Sequence, residues 1–415
     1  MRRTVLKFGG TSVGDIERIE RVARIVAHRA RDGDGLAVIV SAMAGETNKL
    51  VGYADEIVGG ELSGDGFNDE YDVIVSSGEQ VTSGLLALAL RRLGLKARSW
   101  LGWQMQLMTD ESHSKARILG MEGSALRDSI DAGEIAVISG FQGMTDDRRI
   151  ATLGRGGSDT SAVGVAAAIA ASSCDIYTDV DGVYTTDPRI VSKAQRLERI
   201  SYEEMLEMAS LGAKVLQTRS VELAMNHSVP VRVLSSFLEP GEDNPGTLVC
   251  SEEEIVEKQV VSGVAYSRDE AKVTLYGVTD EPGVSARIFS LLAGAGVNVD
   301  MIVQAKARGE GVANMVFTCT DRESQFAEET LTTHRDSIGY ERLDVSRDVA
   351  KVSIIGVGMK SHTGVAETMF RALYEKGINI DVIATSEIKI SVLIEAAYTE
   401  LAVRALHTAF GLDAA

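Results

Sequence analysis

"VLKFGGTS" (Val5–Ser12) joins an apolar run to a glycine pair and then to two hydroxyl residues. The pattern predicts a strand that delivers Lys7 to a Gly9-Gly10 turn, with Thr11 and Ser12 at the start of a helix. Glycine N–H groups unobstructed by Cβ, beside a lysine, make a cradle for phosphate. The same letters also suit an ordinary strand, turn and helix. They match neither G-x-x-x-x-G-K-[ST] nor G-x-G-x-x-G, which disfavours a P-loop or dinucleotide-binding fold.

Outward from this stretch, short β-rich runs alternate with Ala/Leu/Ile-rich segments: "RTVLKF", "LAVIV", "KARSW", "EIAVISG", "CDIYTD" and "VPVRVL". That alternation predicts an α/β domain with a mainly parallel sheet covered by helices. It continues to about Ser236, after which "LEPGEDNPGT" supplies two prolines, two glycines and three acids, a turn-rich boundary. The catalytic domain is therefore expected over 1–247, followed by a linker and donated strand over 248–262.

Beyond the boundary the sequence repeats. "AKVTLYGV" from Ala271 answers "AKVSIIGV" from Ala350, and "PGVSARIFSLLAGAGVNVDMI" from Pro282 answers "TGVAETMFRALYEKGINIDVI" from Thr363. Each copy reads as strand, glycine turn, amphipathic helix and strand, a unit too small to bury both faces alone. The modules are expected over 263–348 and 349–415. The second runs out of chain before a fourth strand, whereas "KQVVSGVAYS" (Lys258–Ser267) alternates like a strand without an assigned partner. An open sheet edge invites pairing, so residues near 258–267 are expected to complete the second module beside the strand starting at Lys351.

Composition limits the function. The 415 residues, 45% hydrophobic and 25% charged with five prolines, describe an ordered globular chain. A net charge of −18 argues against nucleic acid or an anionic membrane as partner. No signal peptide is read near Met1, no window is read as a membrane span, and Cys174, Cys250 and Cys319 are spaced for neither metal nor disulfide framework, so a cytoplasmic location is expected. Any anionic substrate needs local positive groups.

Such groups stand in "TLGRGGSDT" (Thr152–Thr160). Gly154, Gly156 and Gly157 allow close backbone approach, Arg155 can grip a carboxylate or phosphate bidentately, and Ser158-Asp159-Thr160 can cap the next helix. A glycine loop that only caps a buried alanine helix would read alike. "YTDVDGVYTTDPR" (Tyr177–Arg189) suits ribose hydroxyls and phosphates, or is a solvated acidic turn. "SSGEQ" puts Glu79 at the N-terminus of a helical run from Val81 to Leu93, where a capping carboxylate is the simpler reading. "SAMAGETN" offers Ser41 and Thr47 as small polar contacts or turn residues. No histidine falls inside the glycine-rich anion loops. An acceptor carboxylate, with a pKa near 4, needs no general base.

Together "KFGGTS", "SAMAGETN", "SSGEQ", "TLGRGGSDT", "YTDVDGVYTTDPR" and "GAKVL" resemble the aspartate kinases of the amino acid kinase superfamily, over nearly the whole chain. The resemblance implies an amino-acid-kinase fold followed by two α+β ACT modules (βαββαβ). It also implies transfer of the ATP γ-phosphoryl group, with Mg²⁺, to the β-carboxylate of L-aspartate, the entry step to lysine, threonine, methionine and diaminopimelate. By motif, Lys7, Gly9, Gly10 and Asp159 would be catalytic. Ser41, Thr47, Glu79, Arg155, Gly156, Gly157 and Ser158 would bind aspartate, with Glu79 on the α-ammonium and Arg155 on a carboxylate. Lys7, Phe8, Gly9, Gly10, Thr178, Asp179, Tyr184, Arg189, Lys214 and Val215 would bind ATP. An amino-acid effector, lysine and/or threonine, would sit on Asp280, Gly283, Val284, Asn298 and Asp300, with Asn379, Ile380 and Ser386 of the facing module. A homo-oligomer through the ACT modules is implied. The rival readings are another amino acid kinase, such as an acetylglutamate kinase, and a catalytically dead amino-acid sensor.

Overall fold

The computed structural model describes residues 1–60, 66–212, 215–255, 259–307 and 311–413. They form two compact units: Met1–Val183 with Arg196–Ala209 and Lys214–Val256, and Tyr184–Gln195 with Ser210–Ala213 and Glu257–Ala415.

In the first unit the strands are β1 (Arg3–Phe8), β2 (Gly35–Val40), β3 (Ala97–Trp100), β4 (Leu107–Thr109), β5 (Ile118–Met121), β6 (Ile135–Ser139), β7 (Gln142–Met144), β8 (Ile150–Thr152), β9 (Ser173–Thr178), β10 (Arg199–Ser201), β11 (Val231–Ser235) and β12 (Thr247–Cys250). Its helices are α1 (Ile16–Ala30), α2 (Glu46–Val58), α3 (Asn68–Arg92), α4 (Ser124–Asp131), α5 (Gly157–Ala168), α6 (Tyr202–Ser210) and α7 (Thr218–Asn226). Eight strands make one sheet in the order β10-β12-β11-β9-β1-β2-β6-β3, and β5-β4-β7-β8 make a smaller one. All six expected strands lie in the large sheet. β1 is parallel to β2 on one side and to β9 on the other, and β2 is parallel to β6. Both faces are covered, so β2 is buried throughout and reads as an unbroken apolar run. Leu6, Phe8, Val22, Val26, Val38, Leu86 and Leu90 join β1, β2, α1 and α3 in one core.

Four local readings change. Gly10–Val13 is a single 3₁₀ turn, and α1 starts later, capped by the Asp15 carboxylate, which accepts from Arg18 N–H. The run containing Glu79 is the middle of a 25-residue helix, not its start. The Ser76 and Ser77 hydroxyls donate back to the carbonyls of Val73 and Ile74, and Gly78 faces Ala42 so closely that a Cβ would lie 2.8 Å from it. Residues that normally break helices are thus satisfied by packing. α3 is also the one helix among those described with a window apolar enough for a membrane span, which the sequence reading had excluded. Half of that window is buried inside the fold. Finally, β12 adds to the large sheet antiparallel to β11, so the expected end at 247 falls on its first residue.

The second unit holds β13 (Gly263–Thr279), α8 (Val284–Gly294), β14 (Ile302–Lys306), β15 (Val312–Cys319), α9 (Asp321–Thr333), α10 (Arg335–Ile338), β16 (Arg342–Ile355), α11 (Val365–Glu375), β17 (Val382–Thr385), β18 (Lys389–Glu395) and α12 (Thr399–Ala409). One sheet runs β14-β15-β13-β16-β18-β17. The long strands β13 and β16 each serve both repeats. Ala271–Thr279 pair with β15, while Gly263–Ser267 pair antiparallel with Ile355–Lys351. Ser262 N–H adds a bond of 2.7 Å to the Ile355 carbonyl, and Lys258 lies outside the described residues. Val264 packs with Val352, Ile354, Met369 and Leu406 in a core separate from that of Val273, Leu275, Ile288 and Phe317.

The repeat also encodes its own cross-links. Lys272 and Lys351 occupy equivalent positions in the two copies, as do Asp300 and Asp381. Lys272 pairs with Asp381, and Lys351 Nζ lies 2.5 Å from Asp300 and 2.6 Å from Glu270. Lys351 and Glu270 are both buried. Burial alone would lower the Lys351 pKa, but Glu270 and Asp300 hold it above the usual value. Lys351→Ala would strand a buried carboxylate and should cost about 3–5 kcal/mol, whereas Lys351→Met with Glu270→Leu should recover most of the loss. Urea denaturation of the full chain followed by circular dichroism checks this; equal destabilisation in both variants would contradict it.

Candidate active site

The active-site candidates meet where parallel strands end. β1, β2 and β6 run in the same direction, so Lys7, Ser41 and Phe141 emerge on one edge of the sheet, where open α/β sheets bind ligands. A cleft of about 440 Å³ lies there, and among its lining residues are Lys7, Gly10, Ser41, Thr47, Glu79, Arg155, Gly156, Gly157, Ser158 and Asp159. All seven residues expected to bind aspartate are among them.

Each wall has a local cause. Lys7 is the penultimate residue of β1, and its Nζ lies 2.5 Å from Asp159 Oδ1 in the first turn of α5. Gly10 lets the turn after β1 approach the loop after β2: a Cβ there would sit 2.9 Å from the Ala42 carbonyl oxygen. Gly156 adopts φ +72° as the residue before α5, and a Cβ would fall 2.0 Å from Gln217. The expected capping by Ser158, Asp159 and Thr160 does not occur. All three lie inside α5, whose N-cap Gly156 has no side-chain bond, while the Thr160 hydroxyl donates to the Gly156 carbonyl. The N-terminus of α5 therefore lines the cleft without a side-chain cap, a setting that favours an anion. The Ser41 hydroxyl donates to Ser158 Oγ at 3.0 Å, linking the two loops.

Glu79 is buried in the cleft wall. Its Oε1 accepts from Ala42 N–H at 3.0 Å, while Oε2 has no hydrogen-bond partner. Burial pushes its pKa up to about 7, against the lowering effect of the Ala42 N–H. A buried carboxylate oxygen without a donor is a place for a cation.

Phe141, Asn48 and Gln217 also line the cleft and were not read from the sequence. Phe141 has φ +69°, a strained conformation for a bulky residue, and follows Gly140 at the end of β6. Its place after a parallel strand was the one available signal.

The nucleotide candidates are dispersed. Phe8, Thr178 and Asp179 lie at the ends of β1 and β9, and the Thr178 hydroxyl donates to Asp179. Tyr184 and Arg189 belong to the second unit, where Arg189 is paired with Asp187. Val215 is described, and Lys214 lies outside the described residues. In the second unit Gly283 precedes α8 at φ +98°, with Val284 as its first residue, and Asp280 N–H donates to Gly311. Asn298 N–H reaches Glu323 at 3.4 Å, Asp300 is held by Lys351, and Ser386 N–H donates to Lys389. Asn379 and Ile380 precede β17.

The amino acid kinase family model matches residues 2–235, and ACT domain models match 272–332 and 352–410. An aspartate kinase of Pseudomonas fluorescens is 52% identical over all of this chain and 98% of its own length. The chain belongs to the aspartate kinase family. An aspartokinase of Mycolicibacterium smegmatis is 44% identical across 99% of this chain and 97% of its own. Among solved structures, E. coli aspartokinase III in complex with aspartate and ADP (R-state) matches with a TM-score of 0.80 at 28% identity, covering 98% of this chain and 99% of that one. The same enzyme with lysine and aspartate (T-state) gives 0.75. For this family member, a large mostly parallel sheet with a kinase domain and two ACT domains is thereby established.

The raised pKa of Glu79 carries a stability consequence. The folded value of about 7 exceeds the ordinary 4.5, so the contribution is fully present below about pH 4.5 and lost as pH rises through 7. Glu79→Gln should therefore be more stable than wild type by about 2–3 kcal/mol at pH 8, the difference vanishing near pH 4. Paired denaturation curves at the two pH values test this, and a pH-independent difference would count against it.

Proposed function

We propose that this chain transfers the γ-phosphoryl group of ATP to the β-carboxylate of L-aspartate, giving 4-phospho-L-aspartate and ADP, the first step towards lysine, threonine, methionine and diaminopimelate. The observation that carries the reading is the pairing, in one cleft, of the partnerless Glu79 oxygen with Arg155 and the Lys7–Asp159 pair. An α-amino acid needs an acceptor for its ammonium and donors for its carboxylates. Glu79 supplies the first, and Arg155, Ser158 and the start of α5 supply the second, with Ser41 and Thr47 as small polar walls.

An ionised carboxylate is already a nucleophile, so one oxygen bonds to the γ-phosphorus while the bond to the β-phosphate oxygen breaks, and no proton moves. Lys7, beside the glycine N–H groups of Gly9 and Gly10, neutralises charge on the phosphoryl group in flight, and Asp159 orients the lysine. Phe8, Thr178, Asp179, Tyr184, Arg189, Lys214 and Val215 are assigned to the nucleotide. Mg²⁺ would be carried on the nucleotide phosphates and would supply charge neutralisation there.

Lysine and/or threonine is assigned to the ACT modules, on Asp280, Gly283, Val284, Asn298 and Asp300 with Asn379, Ile380 and Ser386. Both sheet edges, β14 and β17, expose apolar residues, Ile302 and Ile383, which suits assembly with a second copy. The three cysteines are buried free thiols, in keeping with the cytoplasm.

A coupled ADP-release assay with MgATP tests the activity, with glutamate and acetylglutamate as the competing acceptors; turnover only with either of these would overturn the assignment. Lys7→Ala should lower kcat by on the order of 100-fold with a modest change in KM, whereas Arg155→Ala should chiefly raise the aspartate KM. Turnover of Lys7→Ala within about threefold of wild type would remove Lys7 from catalysis. With lysine and threonine supplied alone and together, an Asp280→Ala, Asn298→Ala double variant should lose inhibition; full retention would move the effector elsewhere.

A further inference from the structure

The loop that carries Arg155 is tied at its entrance to a side chain that no motif marks. Asp72, on α3, is fully buried at 0% exposure, and both its oxygens are used. Oδ2 accepts from Thr152 N–H at 2.9 Å and Oδ1 from the Thr152 hydroxyl at 2.5 Å. Ser114 N–H reaches both oxygens at 3.0 and 3.1 Å, and His113 Nδ1 lies 2.9 Å from Oδ2. A buried carboxylate survives only when so satisfied.

These bonds converge on the loop. Ser114 is held at φ +66°, a sterically costly region for a residue with a side chain, and its carbonyl oxygen would lie 3.1 Å from a Cβ on Gly154. The turn thus backs directly onto the residue before Arg155. Between them, the Leu153 carbonyl accepts from Arg219 at 2.8 Å, and the same guanidinium holds the Ala116 carbonyl at 2.6 Å. Burial depresses the Arg219 pKa, the mark of a desolvated cation set among backbone oxygens.

Asp72 and Glu79 are seven residues apart on one helix, two turns, and so share a face. The helix that presents the ammonium acceptor therefore also anchors the entrance of the loop that presents the guanidinium. We propose that Asp72 is a positioning residue: through Thr152 and the His113-Ser114 turn it fixes the arginine loop against Glu79, and so sets the length of amino acid the cleft accepts. This rests on the aspartate reading above, and it assigns Asp72 no contact with substrate or nucleotide.

The test compares Asp72→Asn, Thr152→Val and Thr152→Ser with wild type in the full chain, reading aspartate KM, ATP KM, kcat, melting temperature and direct aspartate binding by calorimetry. Wild-type phosphorylation of aspartate is established first, since its absence would sink the functional reading rather than this one. Asp72→Asn should raise the aspartate KM and Kd about tenfold or more, with ATP KM within about twofold and kcat within about threefold. Thr152→Val should follow in the same direction, and Thr152→Ser, which keeps the hydroxyl, should restore wild-type values. If Asp72→Asn does not fold, the Thr152 pair decides alone. An aspartate KM in Thr152→Val within about twofold of that in Thr152→Ser, or an ATP KM rising in parallel with it, would overturn the proposal.

Discussion

The ion pair between Lys7 and Asp159 is the contact on which the site depends. It ties the end of β1 to the first turn of α5 and holds a buried cation and a buried anion together at the carboxyl edge of the sheet. Neither charge is tolerable there alone. The pair is possible because β1 lies between β2 and β9 and points the same way as both, and because glycines on each side remove the Cβ atoms that would keep the loops apart. The rest of the cleft is built around that meeting point: Ser41 reaches Ser158 from the next strand, and Glu79 reaches Ala42 from α3.

Function here costs stability in identifiable places. Glu79 is kept as a buried carboxylate with one unsatisfied oxygen, and Phe141 and Ser114 occupy backbone conformations that side chains avoid. All three stand in the cleft wall or directly behind the arginine loop. The well-satisfied Asp72 is the opposite case, a buried charge whose hydrogen bonds are complete, and completeness is what makes it rigid. Strain at the wall and saturation behind it are two aspects of one preorganised cleft.

The second unit solves a different problem. Each repeat would leave a sheet edge and one helix-covered face open, and the answer is to share strands: β13 and β16 each run through both modules. The reciprocal pairs Lys272–Asp381 and Lys351–Asp300 follow from the repeat itself, since a sequence copied once and packed about a pseudo-twofold meets its own complement. Glu270, which has Val349 at the corresponding position, breaks that symmetry and gives Lys351 a second, buried partner. The effector residues assigned to the first module include Asp300, which shares Lys351 with Glu270.

Several features were fixed by letters alone. Short β-rich runs alternating with helical segments mark a covered sheet, so six of the eight strands of the large sheet were legible, as was the repeat that makes the second unit. The two glycine loops with Lys7 and Arg155 were legible because glycines, a lysine and an arginine concentrate where a backbone must approach an anion, whereas Ser41, Thr47 and Glu79 were assigned only through the family resemblance. What the sequence could not decide were matters of long-range packing. Glu79 looked like a helix start because Ser76-Ser77-Gly78 look like a break, but the back-bonded serine hydroxyls and the fit of Gly78 against Ala42 accommodate them within one helix. Ser158, Asp159 and Thr160 looked like a cap, yet the turn of Gly156 against Gln217 put them inside the helix. Gln217 and Asp72 carry no local pattern, and Phe141 only its place after a parallel strand; their roles exist because β6, α7 and α3 converge on one loop. Local propensity and periodicity name the elements, but which carboxylate is buried beside which loop is set by contacts between residues far apart in the chain, and those are decided only when the whole unit packs.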